Sequence, residues 1–169
     1  MSGKALLIQA IGFLGTGLFF LSYQFKDSKT LFRVQFFSYL CYTVHLIALG
    51  AVTGGVSYLI NLLRSFCLGS DRPFLRSRRM CAMLCAAQLC TLLFTWAGPL
   101  SLLPVAANIA STLGGYTHDP KKIRLAGMLV NSPLWILYDL AVGSWAGILD
   151  EAVSELSMII SLFRFREKA

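Results

Sequence analysis

The chain is short of charge. Only 14% of its 169 residues are Asp, Glu, Lys or Arg, eight of them acidic, and just two residues are histidine. With 56% hydrophobic residues and a mean hydropathy of +0.67, a water-soluble domain of this size would carry more apolar surface than it could bury. Catalytic signatures are missing as well. There is no Gly-x-Ser-x-Gly, no His-Glu-x-x-His and no phosphate-cradling glycine loop, and His45 and His118 stand far apart, so the chain is not expected to be an enzyme. Period-two alternation is absent from the apolar runs, which argues against a strand barrel. The five cysteines, Cys41, Cys67, Cys81, Cys85 and Cys90, are an odd number in or beside apolar stretches and do not form a disulfide framework. Cys81 and Cys85, one helical turn apart near Met80 and Met83, read either as a soft metal pair or as small packing residues. No metal site and no cofactor is assigned.

What charge there is lies in four clusters. Fourteen of the fifteen Lys and Arg residues fall at Lys26, Lys29, Arg33; at Arg64, Arg72, Arg76, Arg78, Arg79; at Lys121, Lys122, Arg124; and at Arg164, Arg166, Lys168, with only Lys4 outside them. A net charge of +7 would suggest nucleic acid as the partner of a soluble chain. Here the basic residues sit at the ends of apolar stretches, where the lipid bilayer and the insertion bias explain them, so no nucleic-acid partner is expected.

A helix needs about 20 residues to cross a hydrocarbon core of ~30 Å. The spacing predicts an all-α, polytopic membrane protein with seven transmembrane helices, at about 5–24, 30–49, 54–69, 80–97, 101–117, 122–142 and 145–163. Uncharged breaks at Gly50, Thr53, Gly54, Gly55, at Ala97, Gly98, Pro99 and at Gly143, Ser144 separate the pairs. Because the apolar character continues from residue 5 to residue 163, one signal peptide or anchor does not account for it. The positive-inside rule then puts the N-terminus outside the inner (plasma) membrane and the C-terminus in the cytoplasm.

The two halves repeat. A shift of 93 residues places Tyr23 on Tyr116, Ala48 on Ala141, Gly50 on Gly143 and Gly54 on Gly147, and superposes the span boundaries. The expected architecture is one transmembrane domain over 1–169: repeat one at about 5–69, a linker helix at about 80–97 and repeat two at about 101–163. Three-helix units joined by one inverting helix are parallel repeats (3+1+3), a layout found among secondary transporters.

An ionised group at the bilayer centre costs ~2.5–3.5 kcal/mol on insertion scales and needs a partner or a wet cavity. Asp150 and Glu151 fall near the start of span 7, where a helix N-terminus favours carboxylates. Glu155, one turn further on, reads as cavity-facing. His45 and Asn61 are polar residues in apolar helices; each reads as interhelical adhesive or as ligand-binding, and His45 and Glu155 are also proton-bearing candidates. Asn108, Ser111 and Thr112 on span 5, Asn131, Trp135 and Tyr138 on span 6, and Tyr42 and Tyr58 complete the polar and aromatic set. Pro104 and Pro133 lie inside spans, where each removes an amide donor and can kink the helix or provide a hinge.

The run Val44-His45-Leu46-Ile47-Ala48-Leu49-Gly50, followed by Gly55, Ser57, Asn61 and Arg64, resembles the YgjV family of bacterial inner-membrane proteins. So do Leu102-Leu103-Pro104-Val105 with Ile109, Ser111 and Thr112, and the later Trp135, Gly143-Ser144, Gly147 and Glu151. More distantly, the repeat layout is similar to the SWEET, semi-SWEET and PQ-loop superfamily. That resemblance implies a central pocket lined by His45 with Asn61 and by Tyr138 with Ser154, with Asn108, Trp135 and Glu155 as further candidates. The Pro-Gln pair of that superfamily is here Tyr23-Gln24. The expected function is a carrier for a small polar solute working by alternating access, as a monomer or a homo-oligomer. The alternative is a non-transporting membrane receptor or scaffold on the same fold.

Overall fold

The computed structural model describes residues 3–166; Lys168 of the fourth basic cluster lies outside the described residues, as do the side chains of Lys4, Phe165 and Arg166. Seven long helices account for most of it: α1 (Gly3–Tyr23), α2 (Ser28–Ala48), α3 (Val52–Gly69), α4 (Arg78–Thr95), α5 (Leu102–Gly115), α6 (Pro120–Val142) and α7 (Trp145–Arg166). Short 3-10 turns at Pro73–Arg76 and Pro99–Ser101 lead into α4 and α5, and there is no strand among the described residues.

The helix boundaries follow local chemistry. Asp27 caps α2, its Oδ2 accepting from the Thr30 amide and hydroxyl at 2.8 Å each. Those bonds, the Thr30 amide foremost, hold the Asp27 carboxyl below its ordinary pKa. Ser77 and Asp119 cap α4 and α6 in the same way. Gly50 and Gly143, the pair related by the 93-residue shift, adopt φ +80° and +70° where α2 and α6 end, a conformation that costs other residues a Cβ clash.

The two prolines behave differently. Pro104 sits in the first turn of α5, where its missing amide would have had no partner, so it caps rather than kinks. Within α6, Gly127–Asn131 forms a wide π turn, the Ser132 amide reaching back to the Gly127 carbonyl just before Pro133. Proline's missing donor and this five-residue step open the helix wall together.

Six helices form a closed ring. Contacts run α1–α2, α2–α3, α3–α5, α5–α6 and α6–α7, and α7 returns to α1; α4 packs outside against α3 and α5. The ring is polar within and apolar without. Leu6, Leu7, Phe13 and Leu14 of α1, Phe37 of α2, Phe66 of α3 and Leu137 of α6 are exposed, whereas Gln35, Ser38, Asn61, Arg64, Asn108, Asp139, Asp150 and Glu151 are buried. Such an inversion of the soluble pattern suits a hydrocarbon surround. By length and hydropathy, α1 over Ala5–Tyr23, α2 and α6 are able to cross a membrane. The other four fall short of that measure; α5, with 14 residues, rises only ~21 Å.

Glycines let the ring close. A Cβ at Gly12 of α1 would lie 2.6 Å from Ala146 Cβ and 2.9 Å from the His45 ring, and one at Gly147 would run into the Asp139 carboxylate. At the end of the bundle that holds the α1–α2, α3–α4 and α5–α6 connections, Arg124 ties three helices. It donates to the carbonyls of Tyr23 and Phe25 at 3.0 Å, to Ser161 Oγ at 2.5 Å and to the Pro120 carbonyl at 2.8 Å. Arg76 similarly binds the Leu68 carbonyl and His118, while Lys29 and Arg33 pair with Asp71.

Candidate functional site

The ring encloses one polar cavity to which all six of its helices contribute, and α4 contributes no lining residue. Its free centre is about 20 Å³, room for a water or two and too little for a metabolite as the ring now stands.

An aromatic wall forms one side. Phe19 meets Tyr39 edge-on at 4.8 Å between centroids, Tyr39 and Tyr42 each lie 5.4 Å from Tyr58, and Tyr58 lies 4.4 Å from Trp135. Each ring comes from a different turn of α1, α2, α3 or α6, so the wall is also what holds these helices in register.

Amides join the other side. Asn61 Nδ2 donates to Asn108 Oδ1 at 2.6 Å, and the Trp135 indole N–H donates to the same oxygen at 3.2 Å. Both partners are donors, which fixes the orientation of the Asn108 amide. Its Nδ2 is then buried without a partner. From outside the ring, Gln88 of α4 donates to the Ser57 carbonyl at 3.1 Å and to Asn61 Oδ1 at 3.4 Å.

Charge is the third component, and it comes from opposite walls. In the ring order, α3 and α7 face each other across the cavity. Arg64 of α3 is 2% exposed, and Asp150 and Glu151 of α7 are 3% and 4% exposed; all three line the cavity. Arg64 Nη2 donates to Tyr39 Oη at 2.5 Å, and the guanidinium carbon sits 5.3 Å from the centroid of that ring. Arg64 has no salt bridge to a carboxylate within 4.0 Å among the described residues. Arg64 Nε and Asp150 Oδ1 are both buried without a hydrogen-bond partner.

Of the seven residues read from the sequence as pocket candidates, Asn61, Asn108, Trp135 and Ser154 line this cavity, as do Tyr58, Ser111 and Asn131 of the wider polar and aromatic set. His45, Tyr138 and Glu155 stand elsewhere. His45 is clamped at the end holding the α2–α3 and α6–α7 turns, Nδ1 2.9 Å from the Ile8 carbonyl and Nε2 3.0 Å from Ser144 Oγ. Tyr138 accepts the Gly54 amide at 3.0 Å. Glu155 is half-buried on α7, one turn past Glu151 but rotated off the cavity face.

Four cavity groups carry a different signal, or none, in the sequence pattern. Arg64 counts as the first member of a basic cluster, although it lies five residues inside the stretch 54–69. Asp150 and Glu151 are the sixth and seventh residues of α7, a turn too deep to serve its N-terminus, where Ser144 already accepts the Gly147 amide at 3.1 Å. Tyr39 is one of many aromatics in the sequence; its position about two and a half turns before Ala48, level with the polar residues of α3, is the signal that marks it.

No curated protein and no solved structure matches this sequence. The family model of the bacterial inner membrane protein Imp-YgjV matches residues 6–169, nearly the whole chain, and the chain belongs to that family.

Proposed function

We infer that this inner-membrane protein is a carrier for a small polar solute, moved by alternating access through the ring cavity. The observation that carries the reading is the cavity itself: oppositely charged and amide groups, buried at the centre of a ring of helices whose outer face is apolar. Buried charge in a membrane helix marks a solute or ion path more often than a structural need.

The reading also treats α1–α3 and α5–α7 as parallel three-helix repeats with α4 as the inverting linker, all seven helices crossing the membrane, the N-terminus outside and the C-terminus inside. Two pairs of equivalent positions support it. Gly50 and Gly143 share a left-handed conformation. His45 and Tyr138, 93 residues apart, each reach across to the start of the opposite half's last helix, at Ser144 and Gly54 respectively. These bonds, with Tyr42 donating to the Ala146 carbonyl at 3.2 Å, close one end, and Arg124 and Gln24, the latter donating to Ser157 Oγ at 2.7 Å, close the other. The conformation is thus occluded, and rocking of the two halves would break one set at a time.

The small free volume favours a second reading, a receptor or scaffold that never opens. Flux decides between them. Purified protein in proteoliposomes loaded with unlabelled amino acids, sugars or carboxylates should exchange at least one labelled class saturably, and Asn108→Ala should abolish that exchange. A folded protein that exchanges none of them contradicts the carrier reading.

A further inference from the structure

We propose that the solute is a small zwitterion, with its carboxylate on Arg64 and its ammonium on Asp150 and Glu151. The proposal rests on the carrier reading and assigns its substrate class.

The argument is one of unmatched charge. Arg64 and the two carboxylates are buried on opposite walls of one cavity without an ion pair across it. Each is costly in that state unless a counter-charge arrives. A neutral solute would leave both walls uncompensated, and a solute of one sign would leave one of them so. A molecule bearing both signs offers a counter-charge to each wall at once.

The unused hydrogen-bonding atoms sort the same way. Among the cavity-lining side-chain atoms without a partner, Arg64 Nε and Asn108 Nδ2 are donors, Asp150 Oδ1 is an acceptor and the Ser154 hydroxyl serves as either, all buried. The donors come from α3 and α5 and the acceptor from α7. A carboxylate needs donors and an ammonium needs acceptors, so the ligand's polarity is fixed by the walls.

The charges also break the internal repeat. The 93-residue shift places Ser57 and Tyr58 opposite Asp150 and Glu151, and Arg64 opposite Ser157. An even pocket would suit a solute without direction; this one is dipolar. The narrow free centre limits the solute to the smallest members of the class once the ring parts.

The test compares whole zwitterions with their halves on the full-length protein. The probes are glycine, L-alanine, β-alanine and γ-aminobutyrate; ethylammonium and propionate as single-signed halves; and glucose as a neutral solute. At least one zwitterion should raise the melting temperature and exchange in proteoliposomes with an affinity about tenfold or more above either half. Arg64→Gln and Asp150→Asn should each lower that affinity by a similar factor, and the wild-type comparison stands even where a variant does not fold. Glucose or a single-signed half binding as well as the zwitterions overturns the substrate class and leaves the carrier reading intact. Zwitterion binding that is undiminished in both folded variants overturns the site. Exchange of no probe and of no other solute class overturns the carrier reading itself.

Discussion

Asn61 and Asn108 share a 2.6 Å hydrogen bond that joins α3 to α5, and the Trp135 indole completes the triad at 3.2 Å. Asn108→Ala strands two buried donors at once, which costs about 1–3 kcal/mol for each group left unsatisfied. Trp135→Phe removes a donor and strands none, since Asn61 still serves the oxygen. The thermal midpoint of the purified protein should therefore fall several degrees further for Asn108→Ala than for Trp135→Phe. Equal losses would show that the triad does not act as a unit.

The close approach of α1 to α7 depends on Gly12. Its Cβ in Gly12→Ala would lie 2.6 Å from Ala146 Cβ, and neither carbon sits at the end of a flexible side chain. Overpacking of this kind costs about 1–3 kcal/mol. Adding Ala146→Gly should recover part of the loss by freeing one of the two contacts, the His45 ring at 2.9 Å being the other. A double variant no more stable than Gly12→Ala would show that the contact is not what closes the ring there.

Arg124 and its neighbours Lys121 and Lys122 should separate in experiment, although they form one cluster in the sequence. Arg124 is buried and bonded to the ends of α1, α6 and α7; Lys121 and Lys122 are exposed. Arg124→Ala should cost about 2–4 kcal/mol by leaving buried carbonyls unpaired, seen as a lower melting temperature or poor yield. Lys121→Ala with Lys122→Ala should leave the melting temperature within a degree or two.

The Asp27 cap makes part of the stability pH-dependent. Its carboxyl is held below the ordinary value by the Thr30 amide, so the folded state binds its proton less readily than the unfolded state. The cap's contribution is then full above pH ~4, the unfolded value, and is lost as the pH falls through the lower folded one. Asp27→Ala should cost about 1 kcal/mol at pH 7, and the gap from wild type should close as the pH falls through the lowered folded value. Asp27→Asn should retain the cap with a flatter pH profile. A gap that persists unchanged at low pH would contradict the assignment.

The helices were legible because hydropathy and turn residues act locally. Gly50, Gly143 and Pro99 end or begin helices at or near the positions expected of them. The site was legible only in part. Asn61, Asn108, Trp135 and Ser154 stand out in a sequence as polar or amphipathic interruptions of apolar helices, and they do meet. Arg64 and Arg124 did not stand out, because a basic residue near a span end reads the same whether it points to lipid headgroups or inward. His45 misled for the opposite reason. Its polarity marks a buried partner, but the partners are a carbonyl of α1 and the cap of α7, contacts that exist only once the ring has closed.

The central claim, that the ring cavity opens to each side of the membrane in turn, is tested most directly at Ser154. This residue lines the cavity and is 4% exposed. Ser154→Cys, with the five native cysteines Cys41, Cys67, Cys81, Cys85 and Cys90 replaced by alanine, is treated with a membrane-impermeant thiol reagent in sealed right-side-out and inverted vesicles. Alternating access predicts labelling from both sides, slow relative to an exposed control. Labelling from one side only, or from neither while the denatured protein labels fully, would contradict it.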